Sequence, residues 1–200
     1  MKRSILISIL IATGIILFVA AKTIGTVDKQ EARNAFEYLN KVRQSPKDYS
    51  KEIGLNLHGI KPMPILIWND TLAAVAEARA MDMATNNYFA HVNKKGEGVN
   101  ILMNRGGYVL PKDFYKVKKN NFLESIAMGQ ETGVDAIKGL ILDKGINPPG
   151  HRQHLLGMTK FWATCFDIGI GFVRTDNPEK PSYTCIIIAR HDAPEGEIIR

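Results

Sequence analysis

Three stretches of the chain carry apolar residues at the three- and four-residue spacing of an amphipathic helix. The first is predicted to cover residues 28–44, the second to follow residue 69 or 70, and the third to end near residue 142. The predicted core faces are Ala32, Phe36, Leu39 and Val42, then Leu72, Val75, Ala76, Ala80 and Met83, then Val134, Ile137 and Ile141. Each helix is therefore expected to pack one apolar stripe against a common core.

Polar residues at the ends of these stretches predict where the helices begin and end. Asp28 with Glu31 forms a capping-box pattern before the first helix, and Asn69 or Asp70 is a suitable N-cap for the second. The second helix is expected to fade near Asn86. A short helix over residues 99–104 is expected to stop at the glycines that follow it.

Two later segments have the two-residue alternation of β-strands. Residues 166–174 and 183–190 are predicted strands, joined by a proline-bearing loop. In the first, Ile168, Ile170 and Phe172 alternate with Asp167, Gly169 and Gly171, so the glycines are expected where a helix packs closely. Helices and strands together predict an α+β fold, with helices on both faces of a small antiparallel sheet.

Four residues capable of acid–base or metal-binding chemistry lie at or near the ends of these segments. His91 follows the second helix, Asp143 closes the third, and a turn rich in glycine and proline returns the chain toward Asp143 at His151. Glu124 lies within residues 122–127, an apolar run too short to predict a helix. Two imidazoles and two carboxylates can bind a metal ion or move protons.

Two charged residues interrupt apolar stretches and carry their own expectations. A buried carboxylate without a partner costs several kcal/mol, so Glu124 is expected to have a cation, an imidazole or a backbone donor beside it. Arg79 breaks the apolar stripe of the second helix. Its stem is expected to lie along the edge of the stripe, with the guanidinium in water.

The first 21 residues predict export. Lys2 and Arg3 precede an uncharged, apolar run over residues 4–21, which ends in the small residues that signal peptidase requires. A cleaved signal peptide and an uncleaved membrane anchor both fit, because an uncharged, mainly apolar run of eighteen residues is close to the minimum length that spans a bilayer. Either alternative predicts an extracytoplasmic location. The remaining residues, 22–200, suit one domain.

The cysteine content and the net charge exclude few alternatives for this chain. Cys165 and Cys185 are the two cysteines, and either one disulfide or two buried free thiols fits an exported chain. The net charge is +6, or +4 without the first two basic residues, when 24 basic and 20 acidic residues remain. The basic stretch 112–119 is either a solvated loop or a contact for an anionic cell-surface polymer. Nothing in the sequence predicts nucleic-acid binding.

From about residue 32 to 191 the chain resembles the bacterial, SCP-like form of the CAP superfamily, named for cysteine-rich secretory proteins, antigen 5 and pathogenesis-related proteins. The resemblance rests on the order and spacing of several short motifs. These are Tyr38 to Arg43 with Ser45-Pro46, Leu66-Ile67-Trp68-Asn69, Tyr88-Phe89-Ala90-His91, Gly107-Tyr108, Glu124 to Gly129, Gly150-His151-Arg152 and Ile168-Gly169-Ile170-Gly171. It implies a three-layer α-β-α sandwich.

The resemblance also implies a central cleft lined by His91, Glu124, Asp143 and His151. This chain has Leu140 and Asp143 where the family commonly has tryptophan and glutamate. Because aspartate is one methylene shorter, a hydrogen-bonded or water-mediated role is expected for Asp143 rather than direct ligation. The metal ligands are expected to be His91 and His151, holding zinc or another divalent ion.

The other histidines and serines carry weaker expectations. His154 lies three residues after His151 and is expected to be a supporting or surface residue. His58 and His191 have no partner visible in the sequence. Ser125 and Ser182 lack the turn of a hydrolase nucleophile.

Two functions fit these expectations. The first is an extracytoplasmic binding module with a metal-capable cleft that accepts a small ligand, a lipid or a peptide. The alternative is a metal-assisted hydrolase of peptide or cell-wall substrates that uses the same four residues.

Overall fold

The computed structural model describes residues 25–190. The predicted signal peptide or anchor, and His191, lie outside these residues. The helices are α1 (Lys29–Gln44), α2 (Ser50–Ile53), α3 (Asp70–Thr85), α4 (Val99–Arg105), α5 (Lys112–Tyr115), α6 (Gly133–Leu142) and α7 (Gly150–Leu155). The strands are β1 (Gly25–Val27), β2 (Ile67–Trp68), β3 (Glu124–Met128), β4 (Asp167–Thr175) and β5 (Ser182–Ala189). Short 3-10 helices cover Pro46–Tyr49 and Trp162–Thr164.

The five strands form one sheet in the order β1-β4-β5-β3, and β2 also pairs with β4. The β1–β4, β4–β5 and β5–β3 pairs are antiparallel, as predicted. The short β2–β4 pair is parallel and departs from that prediction. Apolar residues 122–127, for which no helix was predicted, provide most of β3, an edge strand of the sheet.

Helices cover both faces of the sheet, which confirms the α+β sandwich. Helix α3 packs on β4 and β5. If residue 169 had a side chain instead of being glycine, its Cβ atom would lie only 2.2 Å from the Ala73 backbone nitrogen. Glycine at this position allows the helix to approach the strand closely. Neighbouring strand residues alternate between the two faces of the sheet, so Ile168 and Ile170 point away from α3. On that opposite face, α1 packs on β4 and also against α6.

The start of α1 is only partly as predicted. Asp28 is the N-cap and accepts a hydrogen bond from the Glu31 amide at 3.1 Å. The Glu31 carboxylate does not complete a capping box, because it accepts instead from the Gly133 amide at 2.7 Å. This bond ties α1 to the first residue of α6. Phe36 is only half-buried and packs edge-on against Trp68.

Cys165 and Cys185 are free, buried thiols, so the disulfide alternative is wrong. Cys185 lies opposite Gly171 in the β4–β5 pair, whereas Cys165 precedes β4 in extended conformation. At about 3.3 Å per residue, this register separates the two cysteines by about 20 Å. A disulfide requires Cα atoms within about 7 Å.

Within residues 25–190, no helix combines the length and the apolar character needed to cross a membrane.

Candidate functional site

Each of the four predicted site residues lies at the boundary of an element. His91 follows α3, and Glu124 is the first residue of β3. Asp143 is the C-cap of α6 in left-handed conformation, with φ 49°. His151 lies in the first turn of α7, rather than on a loop as predicted. The structure brings all four side chains together.

The four residues form two histidine–carboxylate pairs. His91 Nδ1 lies 2.8 Å from Glu124 Oε2, and His151 Nδ1 lies 2.8 Å from Asp143 Oδ1. The imidazole rings are stacked, with centroids 6.2 Å apart and planes inclined by 25°. An ionised carboxylate accepts hydrogen bonds and donates none. In each pair, therefore, the histidine Nδ1 carries a proton and donates it in a hydrogen bond to the carboxylate. In the neutral form of each ring, Nε2 then carries the lone pair that is available to a metal ion.

Glu124 is buried against the guanidinium of Arg79, which was expected to lie in water. The Arg79 guanidinium is 1% exposed, and its Nε donates to Glu124 Oε1 at 3.0 Å. Arg79 also donates to the Tyr88 hydroxyl and to the Ala90 carbonyl. The expectation of a partner for Glu124 is confirmed, and the expectation of a solvated Arg79 is wrong. Both oxygens of Glu124 are occupied, one by Arg79 and one by His91.

Electrostatics around Glu124 keep its neighbours in defined charge states. Burial is the largest single influence on Arg79 and lowers its pKa, but Glu124 together with further neighbours that include Tyr88 outweighs burial and raises the pKa of the guanidinium above its ordinary value. Cys185 Sγ lies 3.5 Å from Glu124 Oε1. Burial, and then Glu124, raise the pKa of this thiol well above its ordinary value, so it stays neutral.

Asp143 holds His151 through both the backbone and the ring. Its Oδ2 accepts from the His151 amide at 3.1 Å, in the first turn of α7. Arg152 donates to the carbonyls of Ile141 and Leu142 at 2.6 and 2.7 Å, which satisfies the last turn of α6. Asp143 thus reaches both the backbone and the ring of His151, although its side chain is one methylene shorter than the glutamate that the family commonly has here.

His154 is buried, so of the two expected alternatives the surface position is wrong and the supporting position fits. Its Nδ1 lies 2.7 Å from Ser125 Oγ, and its ring packs on Trp162 with centroids 5.5 Å apart. Burial lowers the pKa of His154 to about 3, so the ring is neutral at pH 7. The Ser125–His154 contact joins β3 to α7 directly behind the two histidine–carboxylate pairs.

The remaining candidates lie away from this cleft or show no link to it. His58 is exposed, and Ser182 Oγ donates to the Gln130 carbonyl. In the basic stretch, Lys116 pairs with Asp113 and the lysines are exposed. A separate cavity of about 530 Å³ between α3 and α4 is lined partly by Arg79.

Two nitrogen atoms, Nε2 of His91 and Nε2 of His151, could serve as ligands to a metal ion. Within residues 25–190, no group of three or more histidine, cysteine or acidic side chains is arranged to hold an ion. An ion bound by the two Nε2 atoms would therefore complete its coordination with water or a ligand. Zinc–nitrogen bonds of about 2.0–2.1 Å in tetrahedral geometry would place the ring centroids about 5 Å apart. The observed 6.2 Å requires the rings to approach by about 1 Å.

Comparison with known proteins places the chain in a family. The cysteine-rich secretory protein family, CAP, matches residues 36–187. The chain belongs to this family, as its motifs predicted. A comparison with curated proteins finds no match.

Two similar solved structures share this fold. One is an extracellular protein containing an SCP domain from Bacillus anthracis str. Ames, with 22% identity and a TM-score of 0.50. The match covers 81% of this chain and 42% of the Bacillus chain. The other is an outer surface protein from Borrelia burgdorferi, with 18% identity and a TM-score of 0.52, covering 84% of this chain and 99% of that one.

Proposed function

We propose that this protein is an extracytoplasmic binding module whose cleft holds a divalent metal ion between His91 and His151. The observation that carries the proposal is that each Nδ1 is bonded to a buried carboxylate, Glu124 or Asp143. Such carboxylates fix the tautomer and the orientation of a ligating imidazole and increase its basicity. Zinc, a borderline-soft ion, is commonly bound by imidazole nitrogens.

The burial pattern supports a ligand role for the imidazoles and a supporting role for the acids. The side chains of Glu124 and Asp143 are 0% and 2% exposed, whereas those of His91 and His151 are 36% and 26% exposed. Only the imidazoles therefore reach solvent, where an ion would enter. The two acids stay behind them as hydrogen-bond acceptors.

A thermal-shift measurement tests the metal proposal. Zinc at about one hundred times its dissociation constant should stabilise the folded protein by about 2.7 kcal/mol. For a domain of this size, that corresponds to a rise in Tm of about 5–10 °C. The double variant His91→Ala/His151→Ala should lose the rise, whereas His58→Ala, an exposed histidine outside the cleft, should keep it.

The pH dependence of the zinc effect gives a second readout. Neutral imidazole binds zinc and protonated imidazole does not, so the zinc-dependent increment should be lost as the pH is lowered from 7.5 into the acid range. If the wild-type protein shows no zinc-dependent rise in Tm at pH 7.5, the metal proposal fails. The two pairs would then be structural.

The organic ligand is proposed to be a small molecule, a lipid or a peptide. The lining of the cavity between α3 and α4 includes the apolar residues Ala78 and Leu102, and Arg79 both lines the cavity and contacts Glu124. A ligand in this cavity would therefore contact the cleft through Arg79. Phe89 and Ile146 are exposed apolar residues, and they lie close in sequence to His91 and Asp143, respectively.

Location outside the cytoplasm rests on the predicted export segment. The two similar proteins are described as extracellular and as an outer surface protein, which agrees with that location. Mass spectrometry of the exported protein is expected to find Lys22 as the first residue. An intact Met1 in the membrane fraction would instead establish an uncleaved anchor.

Metal-assisted hydrolysis is the second candidate, because two protein ligands leave coordination positions open for water and substrate. A divalent ion would supply Lewis acidity there. Release of amino groups from peptide and cell-wall substrates should then require zinc, His91 and His151. Zinc binding without any such release would leave the binding module as the function.

A further inference from the structure

A second cavity lies apart from the histidine cleft, between the segment after α2 and the segment after α7. Its volume is about 350 Å³, within the range of small-molecule sites. Its walls are largely apolar, with Ile60, Met63 and Leu156 among them, while Lys61 and Lys160 are its charged residues. Among the described residues, no acidic side chain lines it. The cavity therefore favours a molecule with an apolar body and a negative charge.

A buried cation lies against the wall of this cavity. Arg43 is 1% exposed, and it donates to the carbonyls of Pro64 at 3.3 Å and Leu155 at 2.7 Å. Its Nη2 has no hydrogen-bond partner within residues 25–190. A Cβ placed on Gly157 would lie 3.5 Å from that nitrogen and 3.3 Å from Met63 Cε. Gly157 and Met63 both line the cavity.

Two arginines are buried in the described part of the chain, Arg43 and Arg79, and within that part Arg43 has no countercharge. Arg79 is neutralised by Glu124, whereas no carboxylate within the described residues forms an ion pair with Arg43. Burial lowers the pKa of Arg43 to about 10, so it is still charged at pH 7. A buried charge and a free N–H donor are both costly without a partner. An anion that reaches Nη2 would satisfy both requirements.

We propose that this cavity is a binding site for a small organic oxyanion, with its carboxylate or phosphate group on Arg43 and its apolar part against the cavity wall. Met63 is half-buried and its thioether is flexible, so a change of its rotamer opens the way to Nη2. Gly157 has no side chain to block that way. Lys61 and Lys160 lie at the exposed rim and attract the anion.

Calorimetric titration tests the proposal with phenyl phosphate and benzoate as probes. Phenol and inorganic phosphate each supply only one half of the ligand chemistry and should bind at least about tenfold more weakly. Comparing phenyl phosphate with benzoate distinguishes a phosphate from a carboxylate as the preferred head group. Equal binding of phenol and phenyl phosphate would refute an oxyanion site.

Matched variants locate the bound probe. Lys61→Ala/Lys160→Ala should weaken phenyl phosphate binding by about tenfold, the effect of losing two partly exposed ion pairs. Lys47→Ala/Lys51→Ala removes the same charge from exposed positions outside the cavity and should change nothing. Equal weakening by both pairs would indicate nonspecific attraction and refute the site.

Two further measurements avoid truncating Arg43, whose loss could unfold the core. Ala163→Leu fills the cavity without changing charge and should abolish binding while leaving Tm nearly unchanged. In NMR spectra of the arginine side chains, phenyl phosphate should shift the Arg43 signal and leave the Arg79 signal in place. Binding that survives Ala163→Leu, or an unmoved Arg43 signal, would overturn the proposal.

Discussion

Arg79→Met tests whether the buried Arg79–Glu124 pair supports the cleft. Methionine keeps much of the volume of the side chain but removes the Nε–Oε1 bond of 3.0 Å, between side chains that are both 0% exposed. Breaking a buried pair by removing one partner costs about 3–5 kcal/mol, because the remaining charge has no compensation. We expect this loss in the free energy of unfolding. The lost bonds to Tyr88 and Ala90 contribute to it.

Urea denaturation of a double-mutant cycle separates the pair from its surroundings. Glu124→Gln should also destabilise the fold, since it leaves the Arg79 charge buried. The double variant Arg79→Met/Glu124→Gln leaves neither charge and should be more stable than the two single losses together predict, by about 2–3 kcal/mol. Additive losses, within about 0.5 kcal/mol, would refute a coupled pair.

The Arg79→Met variant should also respond to pH in one direction. Without Arg79, burial favours the protonated form of Glu124 over the charged one. The folded variant then binds a proton that the unfolded chain gives up, so its stability relative to the wild type should recover as pH falls from 7 to 5. Recovery toward high pH instead would contradict this assignment of the charges.

Three more outcomes are expected. Gly169→Ala should destabilise the fold by about 3 kcal/mol, since its Cβ would overlap the α3 backbone, whereas Gly139→Ala, in open space on α6, should stabilise it by about 0.8–1.0 kcal/mol; urea denaturation measures both. His154 has a folded pKa of about 3, so the stability that it contributes is present above pH 6.5 and lost toward acid. Without metal, the wild type should lose about 2–3 kcal/mol more than His154→Asn between pH 7 and 4.5. Cys165 and Cys185 should react with a thiol reagent only when the protein unfolds. If neither cysteine reacts even in the unfolded protein, the two form a disulfide.

Elements with a local cause could be predicted from the sequence. Asn69 caps α3 by accepting from the Leu72 amide at 3.0 Å, a bond between residues three apart. The alternation of Gly169 and Gly171 with apolar residues predicted both the strand and the close packing of a helix on it. These features depend on the period of the side chains and on the size of glycine, and both are visible in a short window of sequence.

Contacts between distant segments could not be predicted in this way. Arg79 lies on the apolar stripe of α3, seven residues after Leu72, but its charge favours solvent when no countercharge is visible nearby in the sequence. Its partner, Glu124, is 45 residues away and reaches it only because β3 pairs with β5 and α3 packs on that sheet. Glu31 likewise departs from its local capping pattern, because the Asp28 amide donates to the Phe172 carbonyl at 2.8 Å and Glu31 accepts from the Gly133 amide, 102 residues away.

The two halves of the cleft therefore depend on different parts of the fold. His151 and Asp143 are eight residues apart, and the turn between α6 and α7 is enough to pair them. His91 and Glu124 are 33 residues apart and also require β3, α3 and the Arg79 contact. An ion shared by the two rings would link the α6–α7 turn to the sheet. Arg79→Met should accordingly weaken zinc binding through His91, while the His151–Asp143 pair keeps its hydrogen bond.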